Sequence, residues 1–348
     1  MTAFAERMRA IRAVDAGIIF SILVCLGILA IGTWLMQYEL AVPPEGDSGF
    51  FYEWKLADPT FWSRATIWIG FVLHQVLIWF TIWWAQERSS RKYTDTLKPV
   101  NVIALGINAV FILLHFAQTT FFYDAIAQDI PSWTAQGAVI MMLYIIITME
   151  NRRRGVFFGR KLNFRKEFYD WLKKYHGYAF SFAVIYTFWF HPMVPTWGHL
   201  LGFVHVILVM VQGSLMFTRV HLNRKWIFLL EILVLPHAAL VAINQGGGLV
   251  YMFALGFIAI FIVTQMHGLG LKNWVKNVFY ASFFITVFVI YVFIREPFMV
   301  NEVIRIPAIE YALVFVTYWL WLLGARLLGR IDSFRTNDPP PPLPAAGD

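Results

Sequence analysis

Histidine is the residue type in this chain best suited to chemistry, because nine histidines recur inside or at the ends of long apolar segments. Ionisable side chains within a bilayer are costly and are usually kept for a function. An imidazole can ligate heme iron or another transition metal, or it can carry a proton. The nine are His74, His115, His176, His191, His199, His205, His221, His237 and His267.

Four of the histidines are spaced like the ligands of two stacked hemes. His176 and His191 lie 15 residues apart, which is about 22 Å along a helix. His221 and His237 lie 16 residues apart on a segment predicted to run in the same direction. Two such helices could supply four axial histidines to two b-type hemes. We therefore predict heme b at these four residues, in an electron-transfer protein that could be linked to a quinone.

Helix geometry places a condition on the second pair. Sixteen residues correspond to an offset of about 160° on a regular helix. His221 and His237 could face the same partner only if His221 lay on a loop or the helix were distorted, and Pro236 could supply a kink. Basic residues that could pair with heme propionates near His221 are Arg219, Arg224 and Lys225.

A metal site is an alternative interpretation of the histidines near the predicted outer boundary. Three histidines and a carboxylate suit zinc or iron and leave one position open for water. Such a site could act on a lipid by hydrolytic or oxygen chemistry. The predicted ligands are His115, His191, His199 and His237, with Asp124 as the carboxylate.

A third interpretation is that the histidines are structural or handle protons in a non-enzymatic transporter or in an accessory subunit of a larger membrane complex. A single intramembrane histidine such as His74 is more often a hydrogen bond between helices than a ligand. Glu231 could orient a histidine or carry a proton. The chain shows no phosphate-binding loop, dinucleotide fingerprint, HExxH motif or nucleophile elbow where one could act.

Composition indicates the elements that must position these residues. The chain of 348 residues is 59% hydrophobic and 14% charged, whereas globular chains carry about 25% charged residues. Its apolar runs are continuous and mostly long enough to cross a bilayer, so we predict an all-α polytopic integral membrane protein with about ten transmembrane helices. The predicted spans are 16–36, 65–85, 99–119, 133–150, 176–192, 197–218, 224–243, 248–267, 274–293 and 307–327.

Basic residues predict the orientation. With the N-terminus in the cytoplasm, 24 of the 28 lysine and arginine residues fall on the inner side, as the positive-inside rule requires. Both termini are then cytoplasmic, and a bacterial inner membrane is the expected location. This topology accounts for the net charge of +7 without a nucleic-acid partner. The single cysteine, Cys25, excludes an internal disulfide.

Residues 1–336 are predicted to form one transmembrane domain, with the first span retained rather than cleaved as a signal peptide. Within it, the basic segment 152–175 has aromatic residues at helical spacing. We expect an amphipathic helix there, lying against anionic lipids of the inner leaflet. Residues 337–348 are rich in proline and are predicted to be a disordered tail.

Overall fold

The computed structural model describes residues 9–42, 52–245 and 249–327, and these ranges contain helices and no strand. The predicted tail at 337–348 lies outside them. The long helices are α1 (Ala10–Ile31), α2 (Phe61–Arg88), α3 (Pro99–Phe122), α4 (Trp133–Arg154), α5 (Lys166–Phe190), α6 (Trp197–Ser214), α7 (Arg224–Ile232), α8 (Val234–Gln245), α9 (Leu249–Val263), α10 (Asn273–Val289) and α11 (Glu302–Leu327).

The chain is an α-helical integral membrane protein. Within the described ranges, nine helical segments are long and apolar enough to cross a membrane, with α7 and α8 counted as one segment. The fifth predicted span, 176–192, forms part of α5, which is 25 residues long but is not among the nine. Polar residues lower its hydropathy, including Tyr178, Ser181 and Thr187.

The first core lies between α2, α3, α5 and α6. Trp189 of α5 is its largest fully buried side chain and packs among residues such as Ile67 and Phe111. This close approach depends on Gly70, because a Cβ atom there would lie 2.4 Å from Cη2 of Trp189. The helices that carry most of the histidines are thus held at a tight aromatic interface.

A second core joins α4, the start of α5, α9 and α11. Ile147, Phe168, Ile260 and Val314 are buried in it. Phe168 belongs to the segment in which we predicted a lipid-facing amphipathic helix. Its burial against α11 residues such as Tyr318 shows that this face contacts protein.

The helix predicted for 152–175 is broken in the structure. Residues 152–154 end α4, residues 155–165 form a turn and loop, and α5 begins at Lys166. Gly155 causes the break, because its φ of 74° is in the left-handed region and a Cβ there would lie 2.5 Å from the backbone carbon of Gly159. The basic side chains therefore lie on the end of α4, on the loop at 155–165 and on the start of α5, rather than on one continuous helix. We call the end of the helix bundle that carries these residues the basic end, and the other end the opposite end.

The segment that carries His237 is interrupted where the sequence allowed a kink. Residue 233 separates α7 from α8, three residues before Pro236. Proline has no N–H to bond to the carbonyl four residues earlier and clashes with it. His221 precedes α7, on a short 3₁₀ turn, Val220–Leu222. His221 therefore lies outside the helix, and the helix that carries His237 is distorted. Either feature would remove the condition that the 16-residue spacing placed on the two side chains.

Candidate functional site

His191 is positioned by the residue that follows it. Helix α5 ends at Phe190, and His191 is extended, with φ −112° and ψ 138°. Pro192 explains this conformation, because a residue before proline is pushed out of the helical region. The His191 ring then points toward the next turn, where its centre lies 5.1 Å from that of His199.

His199 is held by the cap of its own helix. Thr196 is the N-cap of α6, and its hydroxyl oxygen accepts a hydrogen bond from the His199 backbone N–H. The same oxygen lies 2.6 Å from Nδ1 of the His199 ring. The ring's Nε2 atom is buried and has no hydrogen-bond partner among the described residues.

His237 completes this group from α8. Its ring packs directly on the backbone of α6, since a Cβ atom on Gly202 would lie 2.8 Å from its Cε1 atom. It interacts electrostatically with His191 and His199. Its Nδ1 atom is buried and has no partner in the part of the chain that the structure describes. We call His191, His199 and His237 the opposite-end cluster.

Two aromatic residues of the first loop cover this cluster. The Tyr52 hydroxyl lies 2.8 Å from Nδ1 of His191. The Trp54 ring packs edge-on against His199, with ring centres 4.4 Å apart. Tyr52 is itself 7% exposed, so the cluster is shielded from water.

A second group of histidines lies at the basic end. The ring of His176, near the middle of α5, and the ring of His221 are 6.4 Å apart between centres and inclined by 46°. Nδ1 of His176 is 2.9 Å from the carbonyl oxygen of Lys173. Nδ1 of His221 is 2.9 Å from the carbonyl oxygen of Gln212. Carbonyl oxygens only accept, so both Nδ1 atoms donate. We call His176 and His221 the basic-end pair.

The side chain of Gln212 in α6 links His221 to Trp226. Its side-chain N–H donates to the carbonyl oxygen of His221 over 3.0 Å, and its Oε1 accepts from Trp226 Nε1 over 2.7 Å. Beside it, no described atom outside the helix lies within 4 Å of the position that a Cβ of Gly213 would take. Gln212 thus holds His221 in place through both its backbone and its side chain.

Each imidazole at the basic end has one ring nitrogen engaged by a backbone carbonyl. An imidazole that donates from Nδ1 keeps the Nε2 lone pair for a metal, and such a hydrogen bond is the usual support of a metal-binding histidine. The donor chemistry of these two side chains is thus of the kind that heme iron takes. Their ring centres are 6.4 Å apart.

Other histidines already have partners between helices. His74 Nε2 donates to Asn108 Oδ1 over 2.8 Å, and its Nδ1 accepts from Trp189 Nε1 over 3.2 Å. His205 donates to the carbonyl oxygen of Leu230 over 2.9 Å. These contacts tie α2, α3, α5, α6 and α7 together. Both nitrogens of His74 are satisfied, so it has none left for a ligand.

The predicted metal site is assembled only in part. His115 contacts His191 through a hydrogen bond of 2.8 Å to its backbone carbonyl. Asp124, the predicted carboxylate, is paired with Arg64 at 2.7 Å. Within the described ranges, no three or more His, Cys, Asp or Glu side chains form a group that could hold a metal ion.

Two further residues have partners other than those we expected. Arg219 pairs with Asp95 at 2.7 Å, and both side chains are 67% exposed. Glu231 pairs with the buried Arg154 at 2.7 Å. Arg219 thus pairs with a carboxylate of this chain, and Glu231 contacts an arginine and not a histidine. The structure therefore gives no support to a role of Arg219 in binding a heme propionate or of Glu231 in orienting a histidine.

Sequence reasoning missed Tyr52, Trp54 and Gln212 as neighbours of the histidines. Tyr52 and Trp54 lie between α1 and α2, and nothing in the spacing of that segment indicates a distant histidine. Gln212 could have been found, because it lies nine residues before His221 across a short loop.

Comparison of the chain with models of protein families, with curated proteins and with solved structures found no significant match. The class of the protein therefore rests on its helices, and its function on the arrangement of its histidines.

Proposed function

We propose that the protein is a membrane-embedded electron-transfer protein that binds two b-type hemes through histidine pairs. The basic-end pair carries the proposal: two imidazoles face each other at 6.4 Å, and each donates its Nδ1 hydrogen to a backbone carbonyl. His176 and His221 would be the axial ligands of the first heme.

His191 and His237 are the proposed ligands of the second heme. They lie on the same two segments of chain as His176 and His221, about 22 to 24 Å further along. His237 has a buried nitrogen without a partner, and Tyr52 engages the Nδ1 atom of His191. His199 would then offer its unpartnered Nε2 atom as a hydrogen-bonding group beside the cofactor.

A heme supplies a one-electron carrier whose potential depends on burial and on hydrogen bonds to its ligands. In this chain, Tyr52 and Trp54 would exclude water from the second heme, and Gln212 would hold His221 in place. The two pairs would lie about 22 Å apart along α5, so that electrons would pass from one side of the bilayer to the other. Quinone is the electron partner we propose, because it dissolves in the membrane.

We place the basic end at the cytoplasmic face of a bacterial inner membrane, with both termini on that side. The lysine and arginine asymmetry supports this orientation. Anionic lipids would contact the basic residues of 152–175, and membership of a larger membrane complex would be compatible with the absence of a soluble domain in the described ranges.

The experiment is a reduced-minus-oxidised absorption spectrum of the purified protein, followed by the same spectrum for His221→Ala. We expect sharp α and β bands of b-type heme in the wild type, and about half that signal in the variant. The matched control is His267→Ala, since His267 lies at the basic end beside Tyr280, at 3.2 Å. It should keep the full signal. A spectrum without heme bands after expression with added heme would overturn the proposal.

The zinc or iron enzyme is the second candidate, and the unpartnered nitrogens of His199 and His237 are the observation in its favour. Support is weaker because Asp124 is already paired with Arg64. Elemental analysis separates the two candidates: this one requires stoichiometric zinc or non-heme iron, which a folded protein free of both would contradict.

A further inference from the structure

Glu310 lies in the middle of an apolar seam between α11 and α9. Ile306 and Val314 are one helical turn before and after it, on the same face of α11. Ile306 approaches α9 so closely that a Cβ on Gly256 would be 3.2 Å from its own Cβ. Val314 packs in the core that contains Ile260. Glu310 therefore points into the α9–α11 contact and is 0% exposed.

Neither carboxyl oxygen of Glu310 has a hydrogen-bond partner among the described residues. The other buried acids differ: Glu231 pairs with Arg154, and Glu302 bonds to Arg295 and Tyr291. An ionised carboxylate without a partner is strongly disfavoured in an apolar interior, and a neutral acid is not. The site at Glu310 is built for a carboxyl group that holds a proton.

Polar groups lie between Glu310 and the basic end. The Tyr311 hydroxyl is 2.7 Å from Thr264 Oγ1, which donates to the carbonyl oxygen of Val156. Tyr311 interacts electrostatically with Glu310 and with Arg154. Arg154 is 3% exposed.

The Arg154–Glu231 pair has polar atoms to spare. Arg154 Nε and Nη2 and Glu231 Oε1 are buried without partners in the described part of the chain. Buried polar atoms of this kind are where internal water binds. A route for protons from the basic end to Tyr311 would pass through this region.

We infer that Glu310 is a proton-binding site within the membrane, reached from the basic end through Tyr311 and the Arg154–Glu231 pair. The carboxylate accepts one proton to form the neutral acid and returns it along the same route. The charged and titratable groups near this route are Glu150, Arg153 and Arg154 from α4, Glu231 from α7 and Tyr311 from α11. This inference does not depend on the hemes.

Infrared difference spectroscopy of the full-length protein in lipid bilayers tests the site. We expect a carbonyl band of a protonated carboxylic acid at neutral pH, absent in Glu310→Gln and lost from the wild type only in alkali. The matched variant Glu231→Gln should retain the band, because it leaves Glu310 unchanged and removes an acid that is paired with Arg154. Absence of a band that differs between wild type and Glu310→Gln would overturn the inference.

A second measurement needs no variant to fold. A hydrophobic carbodiimide reacts with protonated carboxyl groups in membranes, so mass spectrometry of the treated wild type should find the adduct on Glu310 and not on Glu231. The opposite distribution would overturn the site. For the route, Tyr311→Phe should slow hydrogen–deuterium exchange of the carboxyl band several-fold. An unchanged rate would show that the proton arrives another way.

Discussion

The histidines of this protein fall into two groups that differ in their hydrogen bonds. His74 sits in the middle of the first core with both ring nitrogens bonded to side chains of other helices. His176 and His221 each commit one nitrogen to a backbone carbonyl and keep the other. His199 and His237 each have a buried nitrogen with no partner in the described ranges.

This contrast teaches how a role can be inferred inside a membrane. Burial makes every one of these residues costly, so burial alone does not separate a ligand from a helix-to-helix contact. A satisfied imidazole contributes its energy to the fold. A buried ring nitrogen without a hydrogen-bond partner lowers the stability of the fold, and a bound metal or cofactor would offset that loss.

The largest effect should come from the opposite-end cluster, where one substitution removes a whole cofactor. His237→Ala and His191→Ala should each lose one of two heme equivalents, because each deletes an axial ligand of the same iron. Heme content per chain, by pyridine hemochrome assay, checks this. His199→Ala is the matched variant, with a ring 5.1 Å from that of His191, and should keep two equivalents. If His199→Ala lost heme and His191→Ala kept it, the axial ligand would be His199 and not His191.

His74→Ala should have the opposite signature. It removes a buried ring and leaves Asn108 Oδ1 and Trp189 Nε1 without a partner, which should lower the free energy of unfolding by about 2–3 kcal/mol. Heme content of the folded fraction should stay unchanged. Thermal or denaturant unfolding in detergent gives the first quantity and the absorption spectrum the second. A stable His74→Ala protein lacking heme would break the distinction between the two groups.

Much of this arrangement is encoded in features that a sequence shows. Apolar length predicts the helices, since a span needs roughly 20 residues. Spacing along the chain predicts that His176 and His191 lie about 22 Å apart on one helix, and α5 carries His176 near its middle and ends at Phe190, just before His191. Pro236 predicts the helix distortion that His237 requires, because a proline ring clashes with the carbonyl group four residues before it.

Other features depend on contacts between distant parts of the chain. The break at Gly155 depends on a left-handed backbone conformation that many glycines in helices do not adopt. Tyr52 reaches His191 across 139 residues, and no local pattern specifies that meeting. The span predicted at 307–327 puts Glu310 near its start, but α11 begins eight residues before Glu310, at Glu302, which places Glu310 well inside the helix.

The network around His74 offers a smaller and sharper test. Asn108 links His74 to Ser214, with Asn108 Nδ2 2.9 Å from Ser214 Oγ. In a double-mutant cycle of His74→Ala and Asn108→Ala, the two losses should overlap by about 1 kcal/mol. The cycle His74→Ala with Asn101→Ala is the control, since Asn101 bonds to backbone carbonyls near residue 214 instead. Additivity in the first cycle would show that the hydrogen bond between His74 and Asn108 contributes nothing to stability.

The smallest effect should appear at Tyr52, which contacts a proposed ligand without being one. Tyr52→Phe removes the hydroxyl group that is 2.8 Å from His191 Nδ1. Losing a hydrogen-bond acceptor makes the imidazole a poorer electron donor, so the midpoint potential of the second heme should rise. A hydrogen bond contributes about 1 kcal/mol, so the rise should be at most roughly 40 mV for a one-electron couple. Redox titration should show the first heme unchanged. Tyr38→Phe, which loses a bond to the Thr120 carbonyl, should leave both potentials in place. If both variants shifted both hemes equally, the effect would come from the loop as a whole, and Tyr52 would have no particular claim on His191.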